Sequence, residues 1–259
     1  HNMKQLLQSC CIAFSMYSAI SSPQVDWNQD TMKYAMCFFP LVGVAVGAVM
    51  ILWLWICQTL AIGTVLRSAV ALCIPLLITG GIHVDGFCDT VDALSSHAEQ
   101  QRKLEILKDS HIGAFALIGC LVYFFLNFGF WNEFIIQPQT MLLLGLGYVF
   151  SRSLSGLSIV QFACAKNSGL AKTFADGAAK QKVKKVMYVY LFLCALLFLL
   201  IQWQLGLAML IAGFGVFFYY YVMSKKQFGG ITGDLAGYFL QLCELVLLLV
   251  LVIGGNVLW

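Results

Sequence analysis

Apolar residues run almost unbroken near residues 35–57, 59–80, 111–131, 140–163, 186–204, 206–223 and 236–258. Each run is long enough to cross a hydrocarbon core, which takes roughly 20 residues of α-helix for a thickness of about 30 Å. The pattern predicts an all-α fold: a polytopic integral membrane helix bundle with about seven transmembrane helices, in a single domain over residues 3–259. The segment from Lys4 to Ile20 is less apolar and reads as an interfacial helix or a partial span. No period of 20 to 50 residues recurs, so a solenoid is not expected.

The polar positions set the orientation. Lys33 precedes the first strong run; Arg102, Lys103 and Lys108 follow the second. Lys166, Lys172, Lys180, Lys182, Lys184 and Lys185 follow the fourth, and Lys225 and Lys226 the sixth. Successive groups are two spans apart, so all fall on one face, which the positive-inside rule makes the cytoplasmic one. The loops near Gln58, Gln137-Pro138 and Gln202 carry almost no charge. The loop from Lys166 to Lys185 is polar and contains glycine, and is expected to move in the absence of ligand.

Composition agrees with the pattern. Of 259 residues, 61% are hydrophobic and 10% charged, with a mean hydropathy of +0.86, outside the range of soluble domains. A formal charge of +3 is too small to suggest nucleic acid. The ten cysteines are scattered through apolar runs with no CxxC pair, and read as small hydrophobes in a reducing setting. His1 and Asn2, ahead of Met3, read as an appended remnant. Met3 to Ser21 lacks a basic segment followed by a long apolar core, so no cleavable signal peptide is expected.

Three aspartates stand out in GIHVDGFCDTVDAL, Gly81 to Leu94, directly after an apolar run. Asp85, Asp89 and Asp92 are spaced i, i+4 and i+7, which on a helix places them within an arc of about 60°. Like charges on one helix face repel, and desolvation at a membrane boundary adds to the cost, so the cluster implies a compensating cation. Hard carboxylate oxygens suit Mg²⁺ or Mn²⁺ as the metal. Zinc competes, because His83 and Cys88 share the segment; a solvated acidic face pairing with Arg102 and Lys103 is the plain alternative. Gly86, lacking a side chain, would let a phosphate or a backbone approach Asp85.

In LKDSHIG, Lys108 is placed to neutralise phosphate oxygens, and Asp109 to bind a second metal or act as a base, with His111 and Gly113 beside them. The alternative is a helix-end charge pair. In GGITGD, the glycines and Thr232 offer backbone N–H groups to a phosphate at a helix N-terminus, or simply form a turn. Asp234, Gln241 and Glu244 follow on one helical face, and a glutamate within a Leu-Val-rich span needs a partner or a wet cavity. Of the two arginines inside apolar runs, Arg152 needs a carboxylate or phosphate partner, whereas Arg67 can snorkel.

Together these segments resemble the cobalamin synthase family, the adenosylcobinamide-GDP ribazoletransferases. The matching blocks span nearly the whole chain: YAMCFFPLVGVAVG from Tyr34, TGGIHVDGFCDTVDAL from Thr79, LEILKDSHIGAFA from Leu104, SRSLSG from Ser151 and GGITGDLAGYFLQLCE from Gly229. The resemblance implies an enzyme of the bacterial inner membrane that uses Mg²⁺. It would join adenosylcobinamide-GDP to α-ribazole or its 5′-phosphate, giving adenosylcobalamin or its 5′-phosphate, and GMP. On that reading Asp85, Asp89 and Asp92 are metal ligands, and Lys108, Asp109 and His83 are catalytic. Arg152, Thr232, Asp234, Glu244 and Gly86 bind substrate. Two departures stand out: Val84 follows the motif histidine where an acidic residue is expected, and Cys164 to Phe174 lacks an Arg-rich stretch, which leaves phosphate contacts from Lys166 and Lys172 unsupported. Membrane lipids are partners, and a homo-oligomer stays open.

Three other readings compete. A CDP-alcohol phosphotransferase would need an Ala-Arg pair after Asp85-Gly86, where Phe87-Cys88-Asp89 stands instead. An aromatic prenyltransferase would need its aspartate motif twice. A transporter would carry its carboxylates near the bilayer midplane.

Overall fold

Lipid offers the backbone no hydrogen-bond partner, so apolar runs of this length close their hydrogen bonds within helices. In the computed structural model, which describes residues 3–165, 169 and 177–259, they do. Eleven α-helices are described: α1 (Met3–Tyr17), α2 (Gln29–Ala35), α3 (Phe39–Thr59), α4 (Thr64–Thr79), α5 (Ile82–Ser95), α6 (Gln100–Ile106), α7 (Ala114–Glu133), α8 (Pro138–Gln161), α9 (Gly177–Ile201), α10 (Trp203–Phe228) and α11 (Gly233–Leu258). A single parallel β-bridge, Cys164 to Ile231, is the extended pairing described. Lys166 and Lys172 lie outside the described residues.

Among the described residues six helices are long and apolar enough to cross a membrane, or seven spans if the bent pair α4–α5 counts as one. The chain is a multi-pass membrane protein, and α1 is not among the spans. The 59–80 run differs from the expected straight span. Helix α4 stops at Thr79, and α5 leaves at 97° to it. The bend is made at Gly80 and Gly81, which both take positive φ, 69° and 77°, a conformation open to glycine at little cost. The three aspartates therefore belong to a separate helix, outside the six spans, rather than to the end of one.

Helices α8 and α11 are the most buried of the spans. Close approach at α8 rests on missing side chains: a Cβ at Gly47 of α3 would fall 2.8 Å from the Gly145 carbonyl oxygen of α8, and one at Gly43 would fall 2.5 Å from that of Tyr148. This is the small-xxx-small crossing used where two membrane helices pack backbone to backbone. Gly47→Val should force α3 and α8 apart and destabilise the bundle by about 3 kcal/mol. A lower thermal unfolding midpoint in detergent would show it, and an unchanged one would argue against the crossing.

The cysteines depart from expectation at one pair. Cys88 of α5 and Cys120 of α7 are joined by a disulfide, with Cα atoms 6.2 Å apart. The two helices pack side by side, close enough that Val91 leans on Gly119. The other described cysteines are free thiols.

Candidate active site

The starts of α7 and α11 and the ends of α8 and α10 gather on one face, and α5 packs there against α7 and α11. Its inward side carries His83, Gly86, Phe87 and Thr90, all buried. The Phe87 ring stacks on Tyr238 of α11 at 5.3 Å and tilts against Tyr123 of α7 at 5.0 Å. The other side carries Asp85, Asp89 and Asp92, as the helical spacing requires.

Two glycines fix where α5 crosses α11. A Cβ on Gly86 would fall 2.8 Å from the Asp234 carbonyl oxygen, and one on Gly237 would fall 3.1 Å from that of His83. Gly86 thus admits a backbone, and the backbone it admits is that of Asp234. The crossing brings the α5 aspartates to the first turn of α11. Burial, with Asp85, Asp234 and Asp92 close by, pushes the Asp89 carboxyl up to about 6.

Asp92 takes a further position, its carboxylate against Gly113, the N-cap of α7, where the positive end of a helix dipole favours an anion. The loop before it holds Lys108 and Asp109, both exposed and just beyond the end of α6. Asp109 accepts hydrogen bonds from the His111 backbone N–H at 3.0 Å and from its Nδ1 at 2.8 Å. The backbone bond first, then the imidazole, hold the Asp109 carboxyl below its ordinary value. Sequence position thus places Lys108 and Asp109 four or five residues from the glycine that seats Asp92.

The plain pairing alternative is not what is found. Arg102 bonds Glu105 at 2.8 Å, and the buried Lys103 donates to Gln227 of α10. Neither cation is spent on the aspartates. Among the described residues no three His, Cys, Asp or Glu side chains already converge on one ion position. The donor set nevertheless fits a hard divalent cation: several carboxylates, one with its pKa raised by burial and by its acidic neighbours, and no thiolate, since Cys88 is in a disulfide.

The glycine-rich turn is arranged differently from the phosphate cradle expected of it. The Gly230 N–H donates to the Ser224 carbonyl (3.1 Å) and that of Ile231 to Ala163 (2.9 Å). The Gly229 N–H caps α10 through the same Ser224 carbonyl. Thr232 is the N-cap of α11, its hydroxyl accepting from the Leu235 N–H at 3.2 Å. The backbone donors left for an anion are those of the first turn of α11.

His83, Arg152 and Glu244 come together below this face instead of at it. Arg152 of α8 is fully buried and its Nη1 donates to Glu244 Oε1 of α11 at 2.8 Å and to the Tyr148 carbonyl at 3.2 Å. Arg152 Nε and Nη2 and His83 Nε2 are buried without a partner. The His83 ring leans on Phe39 at 5.8 Å. Gln241, one turn before Glu244, accepts from Tyr123 at 2.7 Å. A cavity of about 20 Å³ adjoins Glu244, Gln241 and Tyr148, room for about one water. Arg67 donates to the Trp131, Asn132 and Phe134 carbonyls at 2.9 to 3.2 Å, closing the far end of α7.

The raised Asp89 pKa has a testable sign. At Asp89 the folded protein holds a proton that the unfolded chain releases, so without metal this group's contribution to stability is greatest below about pH 4 and is lost as pH rises through 6. Unfolding midpoints measured from pH 4 to 7 should fall in chelator, and fall less in Asp89→Asn; a flat profile would contradict the crowding of these carboxylates.

Comparison with known proteins agrees with the whole-chain character of the blocks. The family model for cobalamin-5-phosphate synthase matches residues 9–252. An adenosylcobinamide-GDP ribazoletransferase of Lachnoclostridium phytofermentans is 45% identical over 97% of this chain and 95% of its own. Proteins of the same name from Clostridium botulinum and Clostridium perfringens are 34% and 32% identical, over 94% and 96% of this chain and 96% and 99% of theirs. No solved structure matches. With a model matched along almost its full length and relatives matched end to end, the chain belongs to the cobalamin-5-phosphate synthase family.

Proposed function

We propose that the protein is an Mg²⁺-dependent adenosylcobinamide-GDP ribazoletransferase of the bacterial inner membrane, its aspartate face turned to the cytoplasm. A hydroxyl oxygen of α-ribazole, or of its 5′-phosphate, attacks the cobinamide-bearing phosphorus. The bond to the bridging oxygen of the pyrophosphate breaks, GMP leaves with that electron pair, and the hydroxyl proton passes to a base. The observation that carries the reading is the crossing at Gly86 and Asp234, which unites two acidic motifs from distant parts of a chain whose relatives carry this name.

Asp85, Asp89, Asp92 and Asp234 would hold the cation, which offsets charge on the pyrophosphate oxygens. In phosphoryl transfer the protein mostly positions the partners and supplies charge. Lys108 contributes a mobile positive charge from the exposed loop. Asp109, kept ionised by His111, is a weak base and better suited to a metal or to orienting a substrate. The first-turn amides of α11 take a phosphate oxygen. His83, Arg152 and Glu244 act from beneath, holding α3, α5, α8 and α11 in register. A transport path would need a free carboxylate within the bundle, and Glu244 is locked to Arg152.

The test is direct. Purified protein with adenosylcobinamide-GDP and α-ribazole should release GMP and the joined corrinoid in equal amounts, with Mg²⁺ and not in chelator. Folded protein that yields neither product would overturn the assignment.

A further inference from the structure

A second cavity, of about 240 Å³, opens beside the glycine-rich turn, between the ends of α8 and α10. Gln161, Phe162, Tyr221 and Lys225 line it, with Ser224 and the turn Gly229–Ile231. It is smaller than the roughly 300–1,000 Å³ of drug-sized sites, so it suits one heteroaromatic base and excludes a corrinoid. The Phe162 and Tyr221 rings lie 5.0 Å apart, and Lys225 Nζ stands 5.9 Å from the Tyr221 centroid. The Ser224 hydroxyl is buried without a partner. Tyr188 donates to Gln161 Oε1 at 3.1 Å, which leaves the Gln161 amide N–H₂ as a donor.

Both walls are fixed in advance. The Ala163–Ile231 and Ala165–Ile231 hydrogen bonds, each 2.9 Å, tie the chain after α8 to the turn. Asp234 on the carboxylate face follows Ile231 in the wall by three positions, so at most about 11 Å of chain lies between them. A nucleotide with its phosphates at Asp234 has its base within reach of this cavity.

We propose that the cavity between α8, α10 and the Gly229–Ile231 turn binds the guanine of the nucleoside diphosphate donor. The aromatic rings offer a stacking surface. Lys225 and the Gln161 amide supply donors to the O6 and N7 acceptors that a guanine edge presents. The inference rests on the transferase reading, and it adds a leaving-group subsite to it.

Binding of GMP and of α-ribazole, each measured separately on the full chain in detergent by calorimetry, tests it. Lys225→Gln and Tyr221→Leu should each weaken GMP about ten-fold, the worth of one charge-assisted hydrogen bond or one stacked base. Neither should change α-ribazole affinity or the unfolding midpoint. Unchanged GMP affinity in both folded variants would overturn the proposal, and so would a loss confined to α-ribazole, which would give the cavity to the acceptor's base. The two readings fail separately. GMP binding that responds to Lys225→Gln in a protein without transferase turnover would sink the reaction and leave the pocket standing. Turnover with an unaltered donor KM in Lys225→Gln would sink the pocket alone.

Discussion

Asp85→Asn and Asp89→Asn should each lower kcat about a hundred- to a thousand-fold while the protein still inserts and folds, the loss expected when charge stabilisation at a transferring phosphoryl is removed. Asparagine keeps the size of each side chain, so packing at the α5–α11 crossing is preserved. In metal-free protein the changes should even stabilise the fold, because they remove like charges that Asp234 and Asp92 also feel. The combination separates function from structure: activity falls while the unfolding midpoint in chelator rises. Asp92→Asn should cost less activity, because part of that carboxylate's role is spent at Gly113, where it complements the N-terminus of α7. Turnover near wild type in Asp85→Asn or Asp89→Asn would remove the aspartates from the chemistry.

The second large effect lies in the buried ion pair. Glu244→Ala leaves the Arg152 guanidinium, which is fully buried, with one carbonyl and no counter-charge. Breaking a buried pair by removing one partner typically costs about 3–5 kcal/mol, a large share of the net stability of most domains. Low yield and a lower midpoint in detergent are expected. The double change Arg152→Met with Glu244→Leu should recover most of the loss, since well-packed apolar residues often replace a buried pair without penalty. Activity reports on the second role. If the pair only holds α8 against α11, the recovered double variant turns over with near-normal substrate KM; a stable double variant with a greatly raised KM would place Arg152 in contact with substrate.

Much of this was legible in the sequence, and the reason is the solvent. A bilayer imposes length and continuity on every span, so the apolar runs marked the six crossing helices, although the lysine-rich first turns of α9, which begins at Gly177, fell outside the run near 186–204. The i, i+4, i+7 spacing put Asp85, Asp89 and Asp92 on one face without tertiary information. Glu244, isolated among leucines and valines, called for a partner or a wet cavity, and Arg152 for a carboxylate or a phosphate; the structure pairs the two.

What stayed hidden depends on which helix meets which. Gly80-Gly81 was visible as a pair, but that both residues take positive φ and turn α5 aside follows from the packing of α5 on α7 and α11. The Gly86–Asp234 contact joins residues 148 apart, and no local pattern encodes it. The Cys88–Cys120 disulfide also spans two helices and has no spacing signature. One signal was readable and unused: Gly43 and Gly47, four apart in an apolar run, mark the crossing of α3 on α8. A phosphate cradle at Gly229-Gly230 was expected from composition, whereas those amides serve the turn itself.

The central claim is that carboxylates from α5 and α11 together hold one divalent cation site. Titrating metal-free protein with Mn²⁺ and counting bound ion by electron paramagnetic resonance tests it most directly, with and without GMP. Saturable binding that weakens in Asp85→Asn and also in Asp234→Asn, residues brought together by the α5–α11 crossing, is the predicted result. Mn²⁺ binding that neither substitution alters, or that only one helix's aspartates govern, would contradict it.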